Sequence, residues 1–315
     1  MFTKTLRTIV AGLLLLPLTA TAEPIRVSFL SESGALRDTL AVLTNAGCTK
    51  EAMVRFKVAV ESYHAMPFAF DFTKFPQSRG GFYQFESASR LVAALPHQLC
   101  DTEHDYDFNC FDTLITILGD GLRTRLRPDE IFGPTLVPHT ATNGAFMILP
   151  TATARDAFTV AYTEWYRDAT KDAFPQSMSD SRISLTAALF RSHVLPMSTS
   201  ERKLEDGVLE VLRANWKRQD MTFPKGVEVV LCHQVHFPQF WFVTAHVGLL
   251  VSRNKGYTYV EKSGGRGPFV RLDFEERRDL LAWLSGMFRG ASKFGYTHHF
   301  ATFNDAKIQK LEFTK

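Results

Sequence analysis

Cys110 lies where a helix is expected to begin, a position that favours the thiolate form of a cysteine. Asn109 before it is a good N-cap, and a run of helix-forming residues continues to Leu118. The unpaired N–H groups and partial positive charge of a helix N-terminus favour a thiolate and can hold an oxyanion during acyl transfer. The alternatives are a buried packing residue and one half of a disulfide.

A reactive cysteine needs a base, and the base needs a third group that orients it. His246 lies in the apolar segment "TAHVGLLV", which predicts a buried strand. A histidine there is costly unless its ring nitrogens are hydrogen-bonded, so the alternative is a core histidine with satisfied partners. Gly248 follows two residues later on the same face and is expected to leave room for a substrate.

The next strand, "YTYVEKSGG", offers the orienting group. Asn254-Lys255-Gly256 predicts a hairpin turn, and one register then sets Gly248 opposite Glu261, diagonally across from His246. A slip of one residue would present Lys262 instead. A carboxylate suits an imidazole better than an ammonium does, so Glu261 is the expected third member. The alternative is an ordinary surface glutamate paired with Lys262 or an arginine.

A metal site is the competing interpretation. The segment "CHQVH" at 232–236 holds a cysteine and two histidines, and two more histidines follow at 298–299. No second cluster of standard spacing completes a four-ligand zinc site. The "GGRG" segment at 264–267 lacks the Lys-Ser/Thr of a phosphate-binding loop. The sequence therefore predicts neither a metal nor a cofactor.

The first 22 residues are typical of a secretory signal peptide. Lys4 and Arg7 form a basic start, an apolar run too short to span a bilayer follows, and cleavage is expected after Ala22. This predicts a periplasmic or secreted protein with no membrane span after cleavage. Loss of Lys4 and Arg7 lowers the formal net charge from +3 to about +1 (3 − 2 = 1), which argues against nucleic acid as a partner.

Four cysteines remain in the mature chain, namely Cys48, Cys100, Cys110 and Cys232. An even number in an exported protein favours two disulfides. If Cys110 is a working thiol, one bridge and one further thiol remain, and the expected bridge joins Cys48 to Cys100.

Helical periodicity dominates to about residue 223, and β-branched and aromatic segments divided by turn formers follow from about 224. This order predicts a single α+β domain over 23–315, with a helical N-terminal part packed on a C-terminal antiparallel sheet. Loops are expected over 67–85 and 121–138. The expected helices are 35–45, 51–64, 86–94, 110–118, 154–171, 182–190, 206–216 and 274–288, and the expected strands are 226–233, 240–252, 257–263, 268–274 and one from 298.

A cysteine at a helix start, His-x-Gly on a strand and a polar residue on the next strand resemble the NlpC-like branch of the papain-like cysteine peptidase superfamily. The chain also resembles an uncharacterised family of exported bacterial proteins and lipoproteins marked by an Asn-Cys-Arg motif, although Phe111 lies where that family usually has arginine. The resemblance implies a papain-like fold with Cys110 as nucleophile, His246 as base and Glu261 as orienting group. The matching segments are "AGCTKEAMVRFKVAVESYH", "FNCFDTLITIL", "FWFVTAHVGLLV", "YVEKSGGRGPFVRLDF" and "FND".

Together these features predict an exported cysteine hydrolase that acts on an amide bond, with cell-wall peptides as the substrate by analogy with the superfamily. Asn109, Phe111 and Gly248 would contact the substrate or the oxyanion. Two alternatives remain open. One is a non-catalytic envelope binding protein with Cys110 in a disulfide. The other is a thiol acyltransferase or lipid-ester hydrolase, since His-x-Gly also occurs in related acyltransferases.

Overall fold

A computed structural model describes the parts of the chain that form its core. The segments 1–22, 86–94, 154–171 and 182–188, together with Asn109 and Cys100, lie outside the described residues. In the described part, no helix is long and apolar enough to cross a membrane. The described residues are 25–30, 33–65, 83–85, 110–118, 121, 135–138, 146–149, 189, 193–237, 239–263, 267–287 and 296–311.

The described helices begin and end close to where the sequence predicts. The turn after α1 contains Gly47 at a φ of +98°, a backbone conformation that favours glycine. Thr49 then caps α2, because its hydroxyl accepts the N–H of Ala52 at 3.2 Å. The helices of the described part are α1 (Ser33–Asn45), α2 (Lys50–His64), α3 (Cys110–Leu118), α4 (Leu204–Arg218) and α5 (Arg277–Met287).

One large antiparallel sheet organises the protein, as an α+β fold requires. It has nine strands in the order β11-β10-β6-β7-β8-β9-β1-β2, and β5 pairs with β7 outside that path. A separate ribbon joins β3 to β4. The strands are β1 (Ile25–Phe29), β2 (Tyr83–Phe85), β3 (Thr135–Pro138), β4 (Phe146–Leu149), β5 (His193–Val194), β6 (Val227–His236), β7 (Trp241–Ser252), β8 (Tyr257–Lys262), β9 (Phe269–Phe274), β10 (His298–Phe303) and β11 (Lys307–Lys310).

The two faces of the sheet are buried in two apolar clusters, because successive side chains of a strand point to opposite faces. Leu231 and Leu249 belong to the cluster that α1, α2, α3 and α4 cover. Val230, Leu250 and Tyr259 belong to the cluster that α5 covers. The described helices of the N-terminal part therefore pack on one face of the sheet, and α5 covers the opposite face.

Several short strands differ from the sequence-based expectation. The strand β2 lies within the expected loop 67–85, and no strand is expected at the positions of β4, β5 and β11. The N-terminal part contributes β1, which pairs with β9, where no strand was predicted. Residues 135–138, expected as loop, form β3 against β4. The strands β1 and β3 are both short. The partner of β1 is distant in sequence, and the partner of β3 is a neighbour that local periodicity does not identify. Pro138 lies at the end of its strand, where a missing donor is tolerated.

The expected Cys48–Cys100 bridge is not formed at Cys48, which is a free thiol. Its side chain is only 5% exposed and packs in the cluster beneath α1 to α4, so Cys48 is a small apolar packing residue. Burial raises the pKa of this thiol to about 11. Cys110 and Cys232 are free buried thiols as well.

Candidate active site

A gap in the sheet creates the site. One edge of β7 pairs with β6 along nearly its whole length. The other edge pairs with β8 from Leu249 to Ser252 and with β5 at Trp241 and Phe242. Between them lies the stretch with His246, which pairs with no strand of the described part along this edge. Helix α3, which begins at Cys110, contacts both β7 and β8.

A β-bulge in β7 decides which way His246 points. Cys232 pairs with His246, but the next pair is His233 with Thr244, so Ala245 is an extra residue of β7. The Thr244 hydroxyl consequently faces the side of the sheet that α1 to α4 cover, the four-helix side, where it lies 3.3 Å from Nδ1 of His233. His246 faces the α5 side. Bulges beside functional sites commonly redirect a side chain in this way.

His246 and Glu261 form a direct buried contact. Nε2 of the imidazole lies 2.6 Å from Oε2 of the carboxylate. The pairing of Leu249 with Val260 continues the hairpin register in which Gly248 stands opposite Glu261, as the sequence predicted. The two side chains are 4% and 0% exposed, so solvent hardly screens their interaction.

The second carboxylate oxygen of Glu261 is also occupied. Oε1 accepts the indole N–H of Trp283 at 2.9 Å and the hydroxyl of Ser263 at 3.3 Å. A fully buried carboxylate is costly unless its oxygens accept hydrogen bonds or face a positive charge. Trp283 and Ser263 meet that requirement on one oxygen and His246 meets it on the other.

Lys262 lies on the opposite face of β8, as strand alternation requires. Its ammonium donates to the carbonyl of Gly267 at 2.9 Å and lies 4.5 Å from the centre of the Tyr63 ring. Burial and then the charge of Lys262 lower the pKa of His64 to about 4. This ammonium therefore belongs to the α2 side and not to the imidazole.

Cys110 completes the constellation at the N-terminal end of α3. Its thiol lies beside the His246 ring, close enough to influence the pKa of the imidazole. Burial by itself lowers the pKa of His246, but the charges of Glu261 and Cys110 and the hydrogen bonds with both raise it to about 10. Because Nε2 faces Glu261, Nδ1 is the nitrogen left for the sulfur. The structure thus brings together a thiol, an imidazole and a carboxylate in the order that nucleophilic catalysis uses.

Cys232 lies close to this group without belonging to it. It is the cross-strand partner of His246 and is fully buried. Burial, followed by the charges of Glu261 and Cys110, raises the pKa of Cys232 well above its usual range. A thiol of this kind is inert, so Cys110 is the reactive candidate of the two.

Gly248 does not leave room for a substrate, which corrects the expectation from sequence. A Cβ atom at this position would lie 2.3 Å from the hydroxyl oxygen of Tyr259. The ring of Tyr259 therefore fills the space above Gly248, and the glycine is required for packing. Close approach of another group is a common reason for glycine inside a strand.

The remaining expected site residues divide between the described and undescribed parts of the chain. Phe111 is partly buried and packs against the four-helix cluster. Asn109 lies outside the described residues. Trp283 is the site residue that sequence reasoning missed. The sequence indicates only that the N–H of a buried indole needs an acceptor, and it does not identify that acceptor.

The "CHQVH" segment is divided between the two faces of β6. Cys232 faces the α5 side, whereas His233 lies on the other, with Nε2 2.9 Å from the Thr302 hydroxyl. Burial lowers the pKa of His233 to about 3, so it is a neutral structural residue. His236 stacks on Trp241 at 4.0 Å. Among the described residues, no group of three or more His, Cys, Asp or Glu side chains is arranged to hold a metal.

The chain was compared with models of protein families. A family model described as "Domain of unknown function (DUF4300)" matches residues 192–308. The matched stretch contains His246, Glu261 and Trp283 but not Cys110. Comparison with curated proteins and with solved structures finds no match.

Proposed function

We propose that this protein is an exported cysteine hydrolase that cuts an amide bond in cell-wall peptides. One observation carries the proposal. Cys110 begins α3 within reach of His246, whose Nε2 lies 2.6 Å from Glu261. A nucleophile, a base in contact with it and a group that orients the base are the recurring parts of a thiol-dependent hydrolase.

The first step uses a proton that is already in place. With a pKa of about 10, His246 is protonated at neutral pH and faces the sulfur as an imidazolium. In the proposed mechanism Cys110 reacts as its thiolate, with the imidazolium of His246 beside it. The thiolate attacks the carbonyl carbon, a C–S bond forms, and the C=O π electrons move to oxygen. Backbone N–H groups at a helix N-terminus, as in the first turn of α3, are suited to stabilising this oxyanion.

Collapse of this intermediate requires a general acid and then a general base. The imidazolium gives its Nδ1 proton to the leaving nitrogen as the C–N bond breaks, and a thioester to Cys110 remains. Neutral His246 then takes a proton from water, which attacks the thioester. The acid product leaves, and the thiolate–imidazolium pair is restored. Glu261 holds the ring in place through its contact with Nε2.

The substrate class and location rest on the sequence. Resemblance to the NlpC-like branch supports a peptide amide, and the signal-like segment 1–22 supports export to the periplasm or medium. Cell-wall peptides are abundant there. The free thiol of Cys110 supports this function over a binding protein with Cys110 in a disulfide.

The test is incubation of the purified protein with muropeptides, with lipid esters as the parallel substrate, followed by mass spectrometry. We expect new amino groups in the muropeptides with the wild type and none with Cys110→Ala. The matched control is Cys48→Ala, which removes another free, buried thiol and should leave activity intact. If only the lipid esters are hydrolysed, the proposed substrate changes from an amide to an ester. Full activity of Cys110→Ala would remove the cysteine mechanism.

A further inference from the structure

We infer that Trp283 is a positioning residue, whose indole N–H holds the Glu261 carboxylate so that its other oxygen faces His246. The catalytic consequence rests on the proposed function. The positioning itself rests on contacts that exist whether or not a substrate is cut.

The two oxygens of Glu261 have different partners. Oε1 accepts the N–H of Trp283 at 2.9 Å, and Oε2 lies 2.6 Å from Nε2 of His246. Rotation of the carboxylate would break both contacts together. Trp283 is 2% exposed and Glu261 is fully buried, so water is not at hand to replace a lost donor. The N–H of Trp283 therefore favours one orientation of the carboxylate.

An indole is well suited to this task. It donates a single hydrogen bond and accepts none, so it cannot compete with the carboxylate for the imidazole proton. Its ring is rigid and is held by the packing of α5, since Leu280, Trp283 and Leu284 share one apolar cluster. The hydroxyl of Ser263 lies farther from Oε1, at 3.3 Å, and its hydrogen is not fixed in direction as an indole N–H is. Trp283 is thus the donor that transmits the position of α5 to Glu261.

Trp216 offers a matched comparison within the same chain. It is also 2% exposed, but it lies in α4 in the cluster on the other face of the sheet. Its indole nitrogen is buried with no hydrogen-bond partner in the described part of the chain. Replacement of Trp216 by phenylalanine therefore repeats the loss of ring size without the loss of a donated hydrogen bond.

The first test is an NMR titration of His246 in histidine-labelled protein. Trp283→Phe should lower the pKa of His246 from about 10 by about one unit or more, because a carboxylate free to turn holds the imidazolium less well. In the described part of the chain, Cys110, Cys232 and Tyr259 are titratable neighbours of the pair, and they are unchanged in this variant. Trp216→Phe should leave the titration as in the wild type. An unchanged or higher pKa of His246 in Trp283→Phe would overturn the inference.

The second test asks whether Trp283 acts through Glu261. In otherwise wild-type protein, Trp283→Phe should slow alkylation of Cys110 roughly tenfold. In protein that already carries Glu261→Gln, the same substitution should have little further effect on the rate. The same slowing in both backgrounds would show that Trp283 acts by packing alone and would overturn the inference.

Neither test uses a substrate. If the protein cuts no amide but shows both effects, the proposed function is wrong and the role of Trp283 stands. If the protein cuts the amide but shows neither effect, the proposed function stands and the role of Trp283 is wrong. Should Trp283→Phe not fold, a tryptophan analogue with sulfur in place of the indole N–H keeps the ring size and repeats both measurements.

Discussion

Nε2 of His246 and Oε2 of Glu261 lie 2.6 Å apart, although the two residues are 15 positions apart in the chain. The contact joins neighbouring strands in a site from which water is almost excluded. Burial favours a neutral ring, but the adjacent negative charges outweigh it and raise the pKa of His246 to about 10. A proton is thus held next to Cys110 across the physiological pH range.

Selective labelling of Cys110 is the first prediction. Cys110 and Cys48 are equally buried, at 6% and 5% exposure, so accessibility alone would give similar rates. Cys48 lies among apolar residues, where burial raises its pKa to about 11, whereas Cys110 faces an imidazolium. At pH 7 iodoacetamide should modify Cys110 about 100-fold faster, as peptide mapping by mass spectrometry can measure. Equal, slow labelling of both thiols would contradict the proposed mechanism, and His246→Ala should abolish the difference.

Loss of the orienting carboxylate is the second prediction. Glu261→Gln keeps the shape of the side chain but removes the charge that stabilises the imidazolium. We expect kcat to fall about 10²- to 10⁴-fold with little change in KM, because the interaction matters most when the ring is charged. The measurement is steady-state hydrolysis of the muropeptide substrate. The control is Glu228→Gln, which removes a partly buried carboxylate paired with Arg277. A similar fall in both variants would point to a general effect on folding.

The third prediction concerns stability against pH. The folded-state pKa of His246, about 10, lies above the ordinary value of 6.5, so the folded protein binds a proton that the unfolded chain releases. The resulting stabilisation is fully present below pH 6.5 and is lost as pH rises toward 10. Urea unfolding should therefore show the wild type losing stability over this window, and His246→Gln losing less. Parallel curves for the two proteins would contradict the raised pKa.

The fourth prediction tests the packing of Tyr259 over Gly248. Gly248→Ala places a Cβ 2.3 Å from the Tyr259 hydroxyl oxygen, so the ring must move. We expect a loss of about 1–3 kcal/mol in the free energy of unfolding and reduced activity, because Tyr259 lies beside the carboxylate site. Gly34→Ala is the matched control, since its Cβ would meet nothing within 4 Å. Denaturant titration should show Gly34→Ala within about 1 kcal/mol of the wild type.

The strand half of the site could be predicted because β-structure has a strict period. The turn at Asn254 to Gly256 fixes the register, and the register fixes which side of β8 faces the imidazole. The structure confirms this register through the pairing of Leu249 with Val260. The helix start at Cys110 was equally predictable from local sequence. Placement of α3 against β7 came from the resemblance, since no local pattern says which strand a helix will contact.

Other features depend on tertiary contacts that leave no periodic signal. The bulge at Ala245 interrupts a run of apolar residues that looks regular in sequence. The acceptor of Trp283 and the position of the Tyr259 ring depend on how α5 and β8 pack. The even number of cysteines favours a bridge at Cys48, but this count carries no information about which cysteines are buried. Its apolar surroundings made it a packing residue instead.

The length of the turn between β7 and β8 also determines which side chain of β8 faces the imidazole of His246. Gly256 has a φ of +77°, and a Cβ there would meet the carbonyl oxygen of Phe274 at 2.2 Å, so the turn has little freedom to change shape. One inserted residue would direct an ammonium, that of Lys262, at the imidazole. Two inserted residues would restore the face but move the carboxylate about 7 Å along the strand. Loop grafting at this turn would thus disable the site without altering any of its side chains.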